Sequence, residues 1–240
     1  MSYWITTFFG RTLDYINPSV GAIHIDDIAL HLSRMPRFSG ATRRFYSVAQ
    51  HSCGVERIVR ALYGKDSYTL RYEALLHDAH EAYLGDVPTP LKRAINNIGG
   101  FGTGLPHNDF NKIAAKIDSA IRKALQLGDS EPEPVRFADR VALLLEATSR
   151  NVRKNVAKWP PGMFDHTHAE AVHRLPAEYI AFINTPLPEH RARNKFLSTF
   201  KELTHALKIK VPAAQVGDGQ KRGSAVPHQE EQIANLGTKA

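Results

Sequence analysis

The stretch LLHDAHEAYLGDVPTPLK, residues 75–92, sets His77-Asp78 and then His80-Glu81 directly behind two leucines, with another acid at Asp86. A buried charge costs several kcal/mol unless it is paired or bound to a metal. Read as a helix, His77 and Glu81 lie one turn apart on one face, with Asp78 about 100° round from His77. An ion between them would take His77 and Asp78, and Glu81 would lean over it without ligating. Two ligands do not make a stable divalent site, so other helices must contribute. His51, near the capped start of a helix, and Asp139, at the head of the leucine-rich run RFADRVALLLEA, stand out. A buried Asp on such a helix is unexpected without a cation nearby. His51, His77, Asp78 and Asp139 make a two-nitrogen, two-oxygen set suited to Mn, Fe, Co or Zn, with Mg as a further candidate. Water at the remaining positions would be open to activation as a nucleophile.

The order H…HD…D resembles the HD-domain metal-dependent phosphohydrolases. The longer string HDAHEAYLGDVPTPLK is similar to the corresponding segment of bacterial and phage 5′-deoxynucleotidases and dNTP phosphohydrolases. The resemblance covers roughly residues 30–150. It implies one divalent metal on His51, His77, Asp78 and Asp139, with Glu81 and Asp86 in catalysis. Upstream, SRMPRFSGATRRFYSVAQHS resembles the family's R-W…EHS stretch. This puts Arg37 and Phe38 where an Arg and an aromatic read the deoxynucleoside, with Phe in place of the commoner Trp. Lys92 is a candidate phosphate contact or a solvated lysine. One of Arg43 and Arg44 is a candidate phosphate clamp. His80 is open between a supporting role, a substrate contact and a structural one.

The implied activity is hydrolysis of a dNMP or dNTP to deoxynucleoside plus phosphate or polyphosphate. The alternatives are another reaction on the same skeleton, such as guanosine-tetraphosphate or cyclic-nucleotide hydrolysis, and a non-catalytic, metal-stabilised nucleic-acid-binding protein. A basic helix face or interleaved aromatics, expected of the last, is not evident outside the C-terminal segment. Expected partners are a deoxynucleotide and further copies of the chain, as a dimer or higher oligomer.

The elements that must hold these residues read as helices. HIDDIALHLSRMPRF stops near Pro36. YSVAQHSCGVERIVRALYG carries an S-x-x-Q capping box at Ser47 and Gln50 and ends at Gly64. One helix is expected from Asp66 to Gly85, another from Thr89, and further helices in DFNKIAAKIDSAIRKALQLG, EPEPVRFADRVALLLEATSRNV and PEHRARNKFLSTFKELTHALK. IGGFGTGLPHN lacks the G-K-[ST] ending of a P-loop and reads as a connection or lid. His166 and His168, in a loop with no matching acid, read as surface residues or lid contacts. The expectation is an all-α, HD-type fold with a short N-terminal strand or hairpin. Its parts are an extended segment (1–25), the phosphohydrolase domain (26–210) and a disordered tail (211–240).

At 240 residues and 42% hydrophobic content, the chain is long enough for one domain with a sizeable core. A net charge of +7 favours anionic partners. No run of ~18 apolar residues suggests a membrane span, and the N-terminus lacks the basic and long apolar regions of a signal peptide. The single cysteine, Cys53, reads as a small core residue and fits a reducing cytoplasm.

Overall fold

Apolar residues recurring at helical spacing leave each helix with one face to bury, and the fold stacks those faces around one central helix. A computed structural model describes residues 3–98, 109–153, 159 and 162–210. Most of the glycine-rich stretch read as a connection or lid and all of the 211–240 segment read as a tail lie outside the described residues.

The chain opens with a hairpin of β1 (Trp4–Thr6) and β2 (Thr12–Asp14), antiparallel with Ile5 opposite Leu13. Helices follow: α1 (Ile25–Arg34), α2 (Val48–Tyr63), α3 (Tyr68–Leu76), α4 (Glu81–Leu84), α5 (Thr89–Ile98), α6 (Asp109–Leu125), α7 (Glu133–Thr148), α8 (His166–His173), α9 (Ala177–Asn184) and α10 (Glu189–Leu207). The fold is all-α with a short N-terminal hairpin. Asp27 of α1 ties the hairpin down, accepting from the Thr7 hydroxyl at 2.7 Å and the Phe9 amide at 3.1 Å. No helix among the described residues is long and apolar enough to cross a membrane.

Helix α2 is the axis of the domain. It packs against α1, α3, α7, α9 and α10, and it feeds two apolar clusters. Val48, Ala49 and Cys53 join one with Leu75, Phe196 and Phe200; Val55, Ile58 and Val59 join the other with Val135 and Val141. Every residue of its first half, Val48 to Glu56, is buried, so the polar residues there have no route to water and must find partners inside. Cys53 is buried in the first cluster, as its small apolar character suggests, and burial pushes its thiol up to about 12.

Four expectations need correction. First, the helix expected over Asp66–Gly85 is two helices with tight turns between. Ala79, Glu81, Ala82 and Tyr83 donate to carbonyls three residues back rather than four, at 3.0–3.2 Å. The His77 ring bonds the Ala74 carbonyl at 2.8 Å, competing with the helical ladder. Second, the capping box at α2 is half formed. The Ser47 hydroxyl accepts from the Gln50 amide at 3.2 Å. The Gln50 side chain is committed elsewhere: it donates to the Phe182 and Thr185 carbonyls and accepts from the Leu187 amide. Third, the region read as loop around His166 starts α8, and α9 follows it. Fourth, His168 is neither a surface residue nor a lid contact. It is 3% exposed, stacks on Phe137 at 4.9 Å, and closes a capping box with Asp165.

Candidate metal centre

Three helices bring the cluster together: α2 supplies His51, the turn after α3 supplies His77 and Asp78, and α7 supplies Asp139. His51 Nε2 lies 3.1 Å from Asp139 Oδ1, 3.3 Å from His77 Nε2 and 3.5 Å from Asp78 Oδ2. His77 Nε2 lies 3.1 Å from Asp78 Oδ2 and 3.8 Å from Asp139 Oδ1. One ligand atom each from His51, His77 and Asp139 falls within 4.8 Å of the others, a grouping that could hold a metal ion. Asp78 flanks this trio and also faces Arg37 Nη1 at 3.7 Å.

The donor set could take a cation. His77 Nδ1 is satisfied by the Ala74 carbonyl at 2.8 Å, and His51 Nδ1 by Glu146 Oε1 at 2.7 Å. A carbonyl or carboxylate can only accept, so each ring carries its hydrogen on Nδ1 and turns Nε2 inward. Once an ion displaces the protons on Nε2, two inward lone pairs and one carboxylate oxygen make an N₂O set with room for more ligands, which borderline divalent metals accept.

Over 205 residues the chain is 32% identical to YfdR of Escherichia coli (strain K12), an uncharacterized protein, covering 85% of this chain and 98% of YfdR. The chain belongs to the YfdR family. It is also 34% identical over 150 residues to RCAP_rcc00048, an uncharacterized protein of Rhodobacter capsulatus, covering 60% of this chain and 71% of that protein. No family model matches. The match spans almost all of YfdR, so what this member shares with it is a unit of domain size rather than a short motif.

The remaining candidate residues fall at different distances from the trio. Glu81 is buried, with Oε1 3.5 Å from Lys92 Nζ and Oε2 without a hydrogen-bond partner among the described residues. Burial, then the charges of Asp78 and Asp86, push its carboxyl well above the usual range. Asp86 is half-buried and also raised, mainly by burial. His80 lines a cleft of about 220 Å³ with His77, Asp118, Arg122 and Glu131. Its Nδ1 is buried without a partner among the described residues, and burial lowers its affinity for a proton. A larger cleft of about 440 Å³, against Ile16, Val20 and Lys116, shares no residue with the cluster.

Arg37 is buried and its guanidinium is held by Glu146, with Nε and Nη2 each 3.1 Å from Oε2. Phe38 lies over that guanidinium at 5.5 Å and is half-buried. Arg43 and Arg44 are exposed, and their backbone amides are tied to Asn151. No contact of their side chains with the cluster is found among the described residues.

One participant is not evident in the sequence. Glu146 is 1% exposed and meets His51, Arg37 and the Tyr46 hydroxyl, the last at 3.0 Å. Glu146 sits seven residues after Asp139, two turns along the same face of α7. That spacing is the signal that could have found it.

The electrostatics yield a first prediction. Burial disfavours a charged His77, but the Asp78 charge and hydrogen bond, and the Asp139 charge, outweigh it and raise the imidazole from its ordinary 6.5 to about 10. His51 is raised as well, burial and Arg37 being outweighed by Glu146 and Asp139. In the metal-free protein a proton therefore does the cation's work, and a metal must displace it. Apparent metal affinity should rise by about tenfold per pH unit between pH ~6 and ~8, for each proton released. The sign for stability runs the other way. The raised His77 value stabilises the metal-free fold fully below its unfolded pKa of 6.5, and the gain fades as pH climbs towards about 10. The rise in melting temperature on adding zinc should therefore grow with pH. Metal binding that is flat over this range would mean that neither imidazole gives up a proton to the ion.

Proposed function

We propose that this member of the YfdR family is a divalent-metal-dependent phosphohydrolase of the HD type acting on deoxyribonucleoside 5′-phosphates. The observation that carries the reading is a buried carboxyl with a free oxygen, Glu81, placed close enough to the His51, His77 and Asp139 grouping to feel the Asp78 charge. A site that only stabilised the fold would have no use for an unsatisfied carboxyl beside it. The string HDAHEAYLGDVPTPLK and its likeness to deoxynucleotidases supply the substrate class.

A divalent ion on this donor set would supply positive charge and Lewis acidity to the phosphoryl group. The chain's own residues do the rest. Glu81 Oε2 receives a proton from the attacking water, a task suited to a carboxyl whose proton affinity is raised. Lys92, opposite Glu81 Oε1, adds positive charge at the same edge. Arg37, between Glu146 and Asp78, offsets the crowded carboxylates. Phe38 offers an aromatic wall for the sugar.

That wall gives a second prediction. An aromatic packed against C2′ leaves a ribose 2′-hydroxyl without a partner, which costs about 1–3 kcal/mol, or roughly tenfold to a hundredfold in kcat/KM. Deoxy substrates should be preferred over ribo by that factor, and Phe38→Ala should erode the preference while metal content stays unchanged. The decisive experiment is product analysis with dNMP and dNTP panels under several divalent metals. Phosphate release from deoxynucleotides is the expected result. Equal rates on ribonucleotides would remove Phe38 from its role and favour guanosine-tetraphosphate hydrolysis. No hydrolysis under any metal would overturn the reading.

A further inference from the structure

We propose that Glu146 is the positioning residue of the metal centre: one buried carboxylate fixes the ring of His51 on one side and the Arg37–Phe38 segment on the other. Its Oε1 accepts from His51 Nδ1 at 2.7 Å and from the Tyr46 hydroxyl at 3.0 Å. Its Oε2 accepts from Arg37 Nε and Nη2, both at 3.1 Å. Four donor contacts fill the capacity of the two oxygens, so the carboxylate is held away from the ion and is not itself a ligand.

The consequence for His51 is chemical rather than merely steric. Facing a group that only accepts, Nδ1 must carry the hydrogen, and Nε2 must show its lone pair to the ion. A neighbour able to donate would permit the opposite tautomer, with an N–H aimed at His77 Nε2, 3.3 Å away. That tautomer cannot ligate through Nε2. His77 is fixed separately by the Ala74 carbonyl, so losing Glu146 should weaken the centre without abolishing it.

The second arm runs through Arg37. Phe38 and Ser39 have φ of 57° and 52°, a left-handed conformation that is costly for a phenylalanine and persists only where the surroundings enforce it. Arg37, clamped on Glu146 and lying against the Phe38 ring, is an enforcing contact. One residue thus sets both the metal edge and the aromatic wall. The first arm rests on the metal geometry alone; the second also rests on the nucleotide reading above.

The test begins with the zinc-loaded wild type and long-range ¹⁵N–¹H correlation spectra of its histidines. His51 is expected as Nδ1–H with the shift of a metal-bound nitrogen at Nε2, and an Nε2–H ring overturns the proposal without any variant. Zinc Kd by chelator competition is then compared for wild type, Glu146→Gln and Tyr46→Phe, with melting temperature as the check on folding. Glu146→Gln should raise the Kd by about 10–100-fold, the usual penalty for removing the partner of a metal-bound histidine. Tyr46→Phe leaves the His51 contact intact and should stay within about threefold. A folded Glu146→Gln within about twofold of wild type overturns the proposal. If Glu146→Gln does not fold, the wild-type spectrum decides alone. At saturating zinc, Glu146→Gln should also raise KM for the deoxynucleotide, as the Arg37–Phe38 segment loses its anchor. An unchanged KM overturns the second arm. Should the wild type hydrolyse no deoxynucleotide while the Kd shift appears, the positioning role stands and the nucleotide reading falls.

Discussion

Glu81→Gln is expected to retain the metal and lose turnover by about 10²–10⁴-fold, the range over which a positioned proton acceptor contributes. Glutamine keeps the shape and the Oε1 contact towards Lys92 but cannot take a proton. Metal content and turnover read different things here. If Glu81 were a ligand, metal would leave together with activity. If it served only as the ion-pair partner of Lys92, activity would survive. The stability change carries a further check. Burial and the neighbouring carboxylates Asp78 and Asp86 disfavour a charge on Glu81, so a neutral side chain should leave the melting temperature unchanged or raise it. A gain in stability with a loss of rate is the signature of a group kept in an unfavourable setting for its chemistry. A folded Glu81→Gln protein turning over at the wild-type rate would remove proton transfer from this residue.

The helices were legible where local chemistry and packing agree. Ser47 before an apolar period and Gly64 and Gly85 after one mark ends that the fold observes, because the caps are local and the faces are amphipathic. The break at His77–His80 was not legible. Nothing in the residue types forbids a helix there, and the turn is made by the His77 ring bonding the Ala74 carbonyl. The start of α8 was hidden for a related reason: its cap is an Asp165–His168 exchange, whereas the two histidines read as surface residues or lid contacts on a loop.

In the site, His51, His77, Asp78 and Asp139 were visible as polar groups inside apolar helices. Glu146 was not, since an acid near the end of a helix ordinarily reads as solvated. Arg37 was visible as a residue, but not its commitment to Glu146, a contact between positions 109 residues apart. The positive φ of Phe38 was equally invisible, because phenylalanine is a poor residue for that conformation and only the surrounding fold imposes it.

Asp139→Ala should strip the metal, and it should do so more completely than Glu146→Gln. The alanine removes a donor atom itself, whereas glutamine disturbs only the orientation of one, so the loss of affinity should exceed the ~100-fold upper end for a supporting partner. Elemental analysis after dialysis should find about one transition metal per wild-type chain and little in the variant. Asp78 is the sharper case. Its Oδ2 stands 3.1 Å from His77 Nε2 and 3.5 Å from His51 Nε2, as a ligand's would, yet it also faces Arg37 at 3.7 Å, as a charge partner's would. Asp78→Asn separates the two, because the amide keeps an oxygen for the ion but gives up the negative charge that binds it and balances Arg37. If Asp78 ligates, Asp78→Ala loses metal to the same degree as Asp139→Ala, and Asp78→Asn retains part of it. If Asp78 only balances Arg37, both variants keep the metal and show their effect in melting temperature. The expected result is loss in Asp78→Ala, because three donors leave a divalent ion under-held in a pocket this rich in carboxylate, and a fourth lies within reach. Full metal content in Asp139→Ala would instead place the ion away from the His51–His77 pair.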